Sequence, residues 1–187
     1  MLVENTGAEG PGRRFAIWVQ GCTIRCPGCC NPQMFAAEGG TEWEIDALAE
    51  KILATPGIEG LSLLGGEPFE QAGAVAELTA RVRAAGRSIM IFTGYTLPEL
   101  RERRDASIDA ALAQTDLLVD GRFDQALYET KRRWIGSANQ QLHFLGDRYS
   151  PADPRFSEPN TVEVQVRDGE IVVTGWPTVG RGLTRRP

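Results

Sequence analysis

Outside one stretch of eleven residues this sequence has no cysteine, and its 187 residues include a single histidine. The two separated cysteine or histidine pairs of a structural zinc site are therefore missing. No apolar run approaches the roughly eighteen residues that a membrane-spanning helix needs. The opening "MLVENTGAEGPGRR" also lacks the charged-then-apolar order of a secretory signal. Positive charge is scarce: the net charge is −5 and the pI is near 5.0. A nucleic-acid surface wants a basic face, so no nucleic-acid partner is expected. The one basic cluster, Lys131 to Trp134, reads as a local feature. Internal repeats, heptads and low-complexity tracts are absent as well.

What is present describes an ordinary globular chain, 42% hydrophobic and 24% charged. Its length suits one well-buried core and is short for two. The expected location is the cytoplasm, with no membrane partner. Cytosolic thiols are kept reduced, so clustered cysteines there point to metal binding or catalysis rather than a disulfide framework.

The apolar pattern alternates between strands and helices. "RFAIWVQ" (Arg14 to Gln20) predicts a strand running into the cysteines. Thr41 and Glu44 have capping-box spacing, and Ile45, Leu48, Ile52 and Leu53 follow at helical spacing until Pro56-Gly57. "GLSLLGG" predicts a buried strand opening into the loop Gly65-Gly66-Glu67-Pro68. Val75, Leu78 and Val82 mark a second helix ending at Gly86. "SIMIFTGY" and "DLLVDG" predict two more strands, separated by one or two short helices. Strand alternating with helix implies α/β architecture with a mostly parallel sheet. In such sheets the chemistry sits on loops leaving the carboxyl ends of the strands. The cysteine loop and the GGEP, TGY and DGRF loops all follow strands and should converge on one site. Ser150 to Asn160 reads as a surface connection, and "TVEVQVRDGEIVVTGWP" as a hairpin turning at Asp168-Gly169.

The cysteines lie in "GCTIRCPGCCN" (Gly21 to Asn31). Cys22, Cys26 and Cys29 form CxxxCxxC, and Cys30 adjoins the last. Neighbouring residues rarely turn both side chains onto one metal, so the run offers three thiolates. That is one short of the four that close an iron–sulfur cubane, which would leave one iron open. Zinc is the alternative reading of the spacing alone.

The ordered set "WVQGCTIRCPGCCNPQMF", "LLGGEP", "IFTGYTLPEL", "DLLVDGRF" and "RWIGSANQQL" resembles the radical S-adenosylmethionine (SAM) superfamily. Within it, the set is most similar to the small activating proteins of anaerobic ribonucleotide reductase, over roughly Arg14 to Leu145. The resemblance implies an incomplete (βα) barrel, here over residues 1–149; residues 150–187, which the shorter members do not cover, are expected from their own pattern to be a connection and hairpin packed on the same domain. It implies a 4Fe-4S cluster on Cys22, Cys26 and Cys29, with SAM on the open iron. Gly65, Gly66 and Glu67 would line the methionine end of SAM, and Gly28 and Cys30 the nucleoside. The activity implied is reductive cleavage of SAM and installation of a glycyl radical on a large partner enzyme. Flavodoxin or ferredoxin would be the reductant.

The remaining residues admit two readings each. Thr93, Gly94 and Tyr95 contact SAM or merely shape a turn. Asp120 contacts the ribose or an ion, or caps the segment that follows. Cys30 is a small apolar filler or an active thiol. His143, with no carboxylate at recognisable spacing, reads as structural. "RWIGSANQ" should help shape the active face, whereas Trp18, Trp43, Trp134 and Trp176 read as packing residues. Two rival functions remain open: modification of a peptide or small molecule by the same chemistry, and a metal-stapled binding or electron-transfer module without turnover.

Overall fold

The computed structural model describes residues 1–167 and 169–175. Asp168 of the expected turn and Trp176 lie outside the described residues. Six strands form one sheet in sequential order: β1 (Leu2–Thr6), β2 (Arg14–Val19), β3 (Gly60–Gly65), β4 (Ser88–Phe92), β5 (Leu117–Asp120) and β6 (Gln141–Phe144). The pairs from β2 through β5 are parallel, while β1 and β6 close the two edges antiparallel. The fold is thus α/β with a mostly parallel sheet.

The crossovers carry α1 (Ile45–Ala54), α2 (Ala72–Ala84), α3 (Leu97–Glu102) and α4 (Ala106–Gln114). Period-two alternation decides which strand residues meet them. Phe15, Ile17, Leu61, Leu63, Ile89, Ile91 and Leu118 pack with Leu48, Ile52, Val75, Val82 and Ile108 in one core. The intervening Ala16, Trp18, Leu64, Met90, Phe92 and Val119 face the other way. These four α-helices therefore lie on one face, as crossovers of a single hand require when strand order is sequential. The opposite face is covered by loops and leaves a hollow.

Three local expectations are corrected. Glu44 is the extended N-cap of α1 and makes no side-chain cap bond, so the Thr41/Glu44 box does not form. The box that does form is Thr96 with Glu99, at the start of α3. Residues 150–160 do more than connect, because Phe156 stacks edge-on against Trp134, Phe144 and Tyr149 at 5.0–6.0 Å between ring centres. Trp18 and Trp134 are buried as expected, but Trp43 is exposed. Strand β1 was hidden in a polar, glycine-rich opening and takes its place by pairing with β2.

The tail forms the expected hairpin, β7 (Val162–Arg167) paired with β8 (Glu170–Gly175). It lies against the N-terminal arm through Glu163, which accepts from Gly7 N at 2.7 Å. Arg132 and Arg133 of the basic cluster bond locally, to Glu129 and Glu158. Among the described residues no helix is long and apolar enough to cross a membrane.

Candidate functional site

At the carboxyl edge of the parallel strands a cavity of about 600 Å³ opens onto the helix-free face of the sheet. Its floor is Trp18, Leu64, Phe92 and Val119, from four successive parallel strands. Cys22, Cys26, Cys29 and Cys30 line it, together with Gly65, Gly66, Glu67, Thr93, Gly94 and Gly121. The loops after β2, β3, β4 and β5 therefore converge, as the strand pattern requires.

The glycines are explained by backbone contact. Gly66 N donates to Val19 O and Glu67 N to Gly21 O, both at 2.8 Å, so the loop after β3 lies directly on the stem of the cysteine loop. A Cβ on Gly66 would stand 2.9 Å from Val19 O and closer still to Gly21 O. Gly65 has φ +101, and a Cβ there would sit 2.5 Å from Trp18 Cα.

Glu67 is buried and fully engaged: Phe69 N and Thr93 Oγ1 donate to Oε1 at 3.0 and 2.8 Å, and Gly94 N donates to Oε2 at 2.8 Å. Burial raises its pKa to about 7 against the lowering effect of these bonds. Thr93 Oγ1 also accepts from Tyr95 N at 3.1 Å, so Thr93 both lines the cavity and shapes its own turn.

The cysteine loop is tied at both ends. Cys22 N donates to Phe35 O at 3.1 Å, and Cys29 N to Cys26 O at 3.1 Å. Glu70 accepts from Thr23 N at 2.9 and 3.1 Å and from Thr23 Oγ1 at 2.5 Å, which pins the segment between the first two cysteines. No sequence signal distinguished Glu70 from other exposed carboxylates. Burial raises the Cys22 and Cys26 thiols, and the neighbouring cysteine sulfurs raise Cys26 further.

The donor set fits a thiolate-bound metal cluster. Backbone N–H groups of Ile24 and Arg25 reach Cys22, that of Phe123 reaches Cys26, and Asn31 N donates to Cys29 Sγ at 3.4 Å. Such donors stabilise negative sulfur and tune a cluster's potential. None of the four cysteines is in a disulfide, and among the described residues no three His, Cys, Asp or Glu side chains are grouped as a single-ion site.

Other expected site residues divide. Gly28 (φ +75) lines a second, smaller hollow beside Cys26, Cys29 and Cys30, and a Cβ on it would collide with the Gln125 amide. Cys30 is exposed, which corrects its reading as a buried filler; its thiol is pushed up chiefly by a hydrogen bond to Cys29. Asp120 is buried away from the cavity wall and accepts from Leu97 N at 2.6 Å. It does cap a helix, but the one before it in the chain. His143 Nε2 lies 2.9 Å from Asp120 Oδ2, a carboxylate delivered by the neighbouring strand. From "RWIGSANQ", Trp134, Gly136 and Gln140 line the cavity, and Gln140 bonds Gly136 N, Ser137 N and Gly121 O.

Two cavity groups escaped the sequence reading. Glu9, buried by the hairpin, accepts from Gly175 N at 2.6 Å, and burial raises its pKa to about 7. Residues of β8 form part of the wall.

Comparison with known proteins agrees with this geometry. The family described as a 4Fe-4S single cluster domain matches residues 8–143, which defines the class as an iron–sulfur protein. The chain is 38% identical to the anaerobic ribonucleoside-triphosphate reductase-activating protein of Vibrio cholerae, over 72% of this chain and 90% of that protein. It is 33% identical to the Escherichia coli protein of the same name, over 73% and 92%, and 32% identical to that of Haemophilus influenzae, over 72% and 90%. The chain belongs to the family of anaerobic ribonucleoside-triphosphate reductase-activating proteins.

Proposed function

We propose that this protein installs a glycyl radical on an anaerobic ribonucleoside-triphosphate reductase, using a 4Fe-4S cluster on Cys22, Cys26 and Cys29 and SAM at the remaining iron. One observation carries the reading: three thiols with backbone N–H donors share a cavity wall with the loops that leave β3 and β4. When bound, the cluster and SAM supply one-electron cleavage of the sulfonium, releasing methionine and a 5′-deoxyadenosyl radical that takes hydrogen from the partner's glycine.

The chain's own residues bind, orient and shield. Gly65 and Gly66 let the loop after β3 lie flat on the cysteine stem, so its backbone can approach the methionine end of SAM. Glu67 positions that loop by holding Thr93 and Gly94. Thr93, at the same wall, is in place for a contact of its own. Gly28 and Cys30 flank the nucleoside end. Trp18, Leu64, Phe92 and Val119 give an apolar floor that keeps water from the reacting carbon. Asp120 acts at one remove, by anchoring α3 behind the loop after β4.

The sheet, with helices on one face and loops at one edge, supports an incomplete (βα) barrel of the radical SAM type. Residues 1–149 would be the catalytic unit, with 150–187 packed on it as an appendage. Reductive cleavage needs a one-electron donor, for which a cytoplasmic flavodoxin or ferredoxin is suited. The test is anaerobic reconstitution with iron, sulfide, SAM and dithionite. It should yield 5′-deoxyadenosine and, with the cognate reductase, a glycyl radical signal; no 5′-deoxyadenosine above background overturns the reading.

A further inference from the structure

The hairpin is docked by its polar face. Glu163 holds Gly7 N and pairs with Arg13, Gln165 donates to Asn5 O at 2.7 Å, and Thr174 Oγ1 lies 2.8 Å from Thr6 Oγ1. Val172, on that same side, packs near Trp18. By register the opposite side carries Val162, Val164 and Val166 across from Gly175, Val173 and Ile171. Val164, Val166 and Ile171 are 54%, 73% and 67% exposed. An antiparallel ribbon ordinarily buries its apolar face and wets its polar one. Here the arrangement is inverted, and an exposed apolar face of this kind marks a contact surface.

The hairpin also offers an open edge. β8 pairs with β7 alone; on its other side Gly175 N is taken by Glu9, and no further strand pairs there among the described residues. Ile171 to Gly175 line the cavity and no residue of β7 does, which turns that edge toward the cavity. An unpaired edge presents alternating N–H and C=O groups that an extended peptide can complete. Apolar face and open edge meet at Ile171 and Val173, on the wall shared with the cysteines.

The chemistry selects the occupant. A radical made in this cavity must reach a glycine Cα, and a cavity of about 600 Å³ admits a stretch of chain rather than a folded domain. We propose that the hairpin seats the glycine-bearing segment of the reductase, laid across the apolar face of Val164, Val166 and Ile171 and led past the edge of β8 at Ile171 into the cavity. The proposal rests on the function assigned above and adds where the partner binds. The family match ends at residue 143, so this seat lies outside the part shared with that family.

The test uses full-length protein carrying Val164→Ser and Val166→Ser, two positions outside the cavity wall. Formation of 5′-deoxyadenosine without partner should match wild type. The reductase concentration giving half-maximal glycyl radical should rise about tenfold, with little change at saturation. If the double variant loses its melting transition, Val166→Lys alone repeats the measurement at the more exposed position. Unaltered partner dependence in a folded variant overturns the seat. So does a change confined to self-association in sedimentation, which would assign the face to a second copy. Failure of wild type to form 5′-deoxyadenosine instead overturns the underlying function.

Discussion

Thr93 Oγ1 donates to Glu67 Oε1 at 2.8 Å, and the same carboxylate takes Gly94 N, so one buried side chain locks the loop after β3 to the loop after β4. Replacing Glu67 by Gln keeps its shape but turns one acceptor into a donor facing another donor. SAM affinity should fall about tenfold while iron content stays at the wild-type level, a loss the size of one buried charged hydrogen bond. Equilibrium dialysis with labelled SAM beside an iron assay checks both.

Gly66→Ala tests the contact between the loop after β3 and the cysteine stem. Its Cβ would press on Val19 O and Gly21 O, both backbone atoms that cannot rotate away. The expected cost is about 2 kcal/mol in urea unfolding, the size of an overpacked site, together with weaker SAM binding.

Asp120 separates structure from binding. It caps α3 through Leu97 N and sits beside His143, yet stands off the cavity wall. Asp120→Ala should lower stability by about 1–3 kcal/mol and leave the SAM dissociation constant within about twofold. A large loss of SAM affinity with stability intact would return Asp120 to the binding site.

Glu9 makes stability depend on pH. Its folded pKa is about 7 against an ordinary 4.5, so the unfolded chain gives up its proton first as pH rises. Below the lower value the carboxyl is neutral in both states and costs nothing. Between the two values folding loses free energy, up to about 3 kcal/mol above pH 7. Urea midpoints should therefore fall from about pH 5 to pH 7, and Glu9→Gln, neutral throughout, should fall less. Glu67 adds a slope of the same sign, which survives in Glu9→Gln.

Much of this architecture was legible because each buried strand is a short apolar run closed by glycine, as at Leu61 to Gly66. Convergence of the cysteines with Gly65 to Glu67 and Thr93 followed from parallel order alone. What escaped depends on pairing between distant segments. β1 has a polar sequence and exists through its ladder to β2. The partner of His143 became visible only with the register of β5 on β6, which sets Leu118 opposite His143 and brings Asp120 near. Glu9 and Glu70 are unremarkable carboxylates until the hairpin and the cysteine loop close on them. For Cys30 only the filler reading fails, because exposure of a turn residue follows from tertiary cover rather than from its type.

The central claim is a cluster held by three thiolates with one iron left for SAM. Electron–nuclear double resonance on the reduced, anaerobically reconstituted protein, with SAM carrying a magnetic nitrogen isotope in its amino group, tests it directly. The account predicts hyperfine coupling between that nitrogen and the cluster, lost with the cluster itself in Cys29→Ala and retained in Cys30→Ala. An intact cluster showing no coupling, or a stoichiometric tetrahedral zinc in its place, would contradict it.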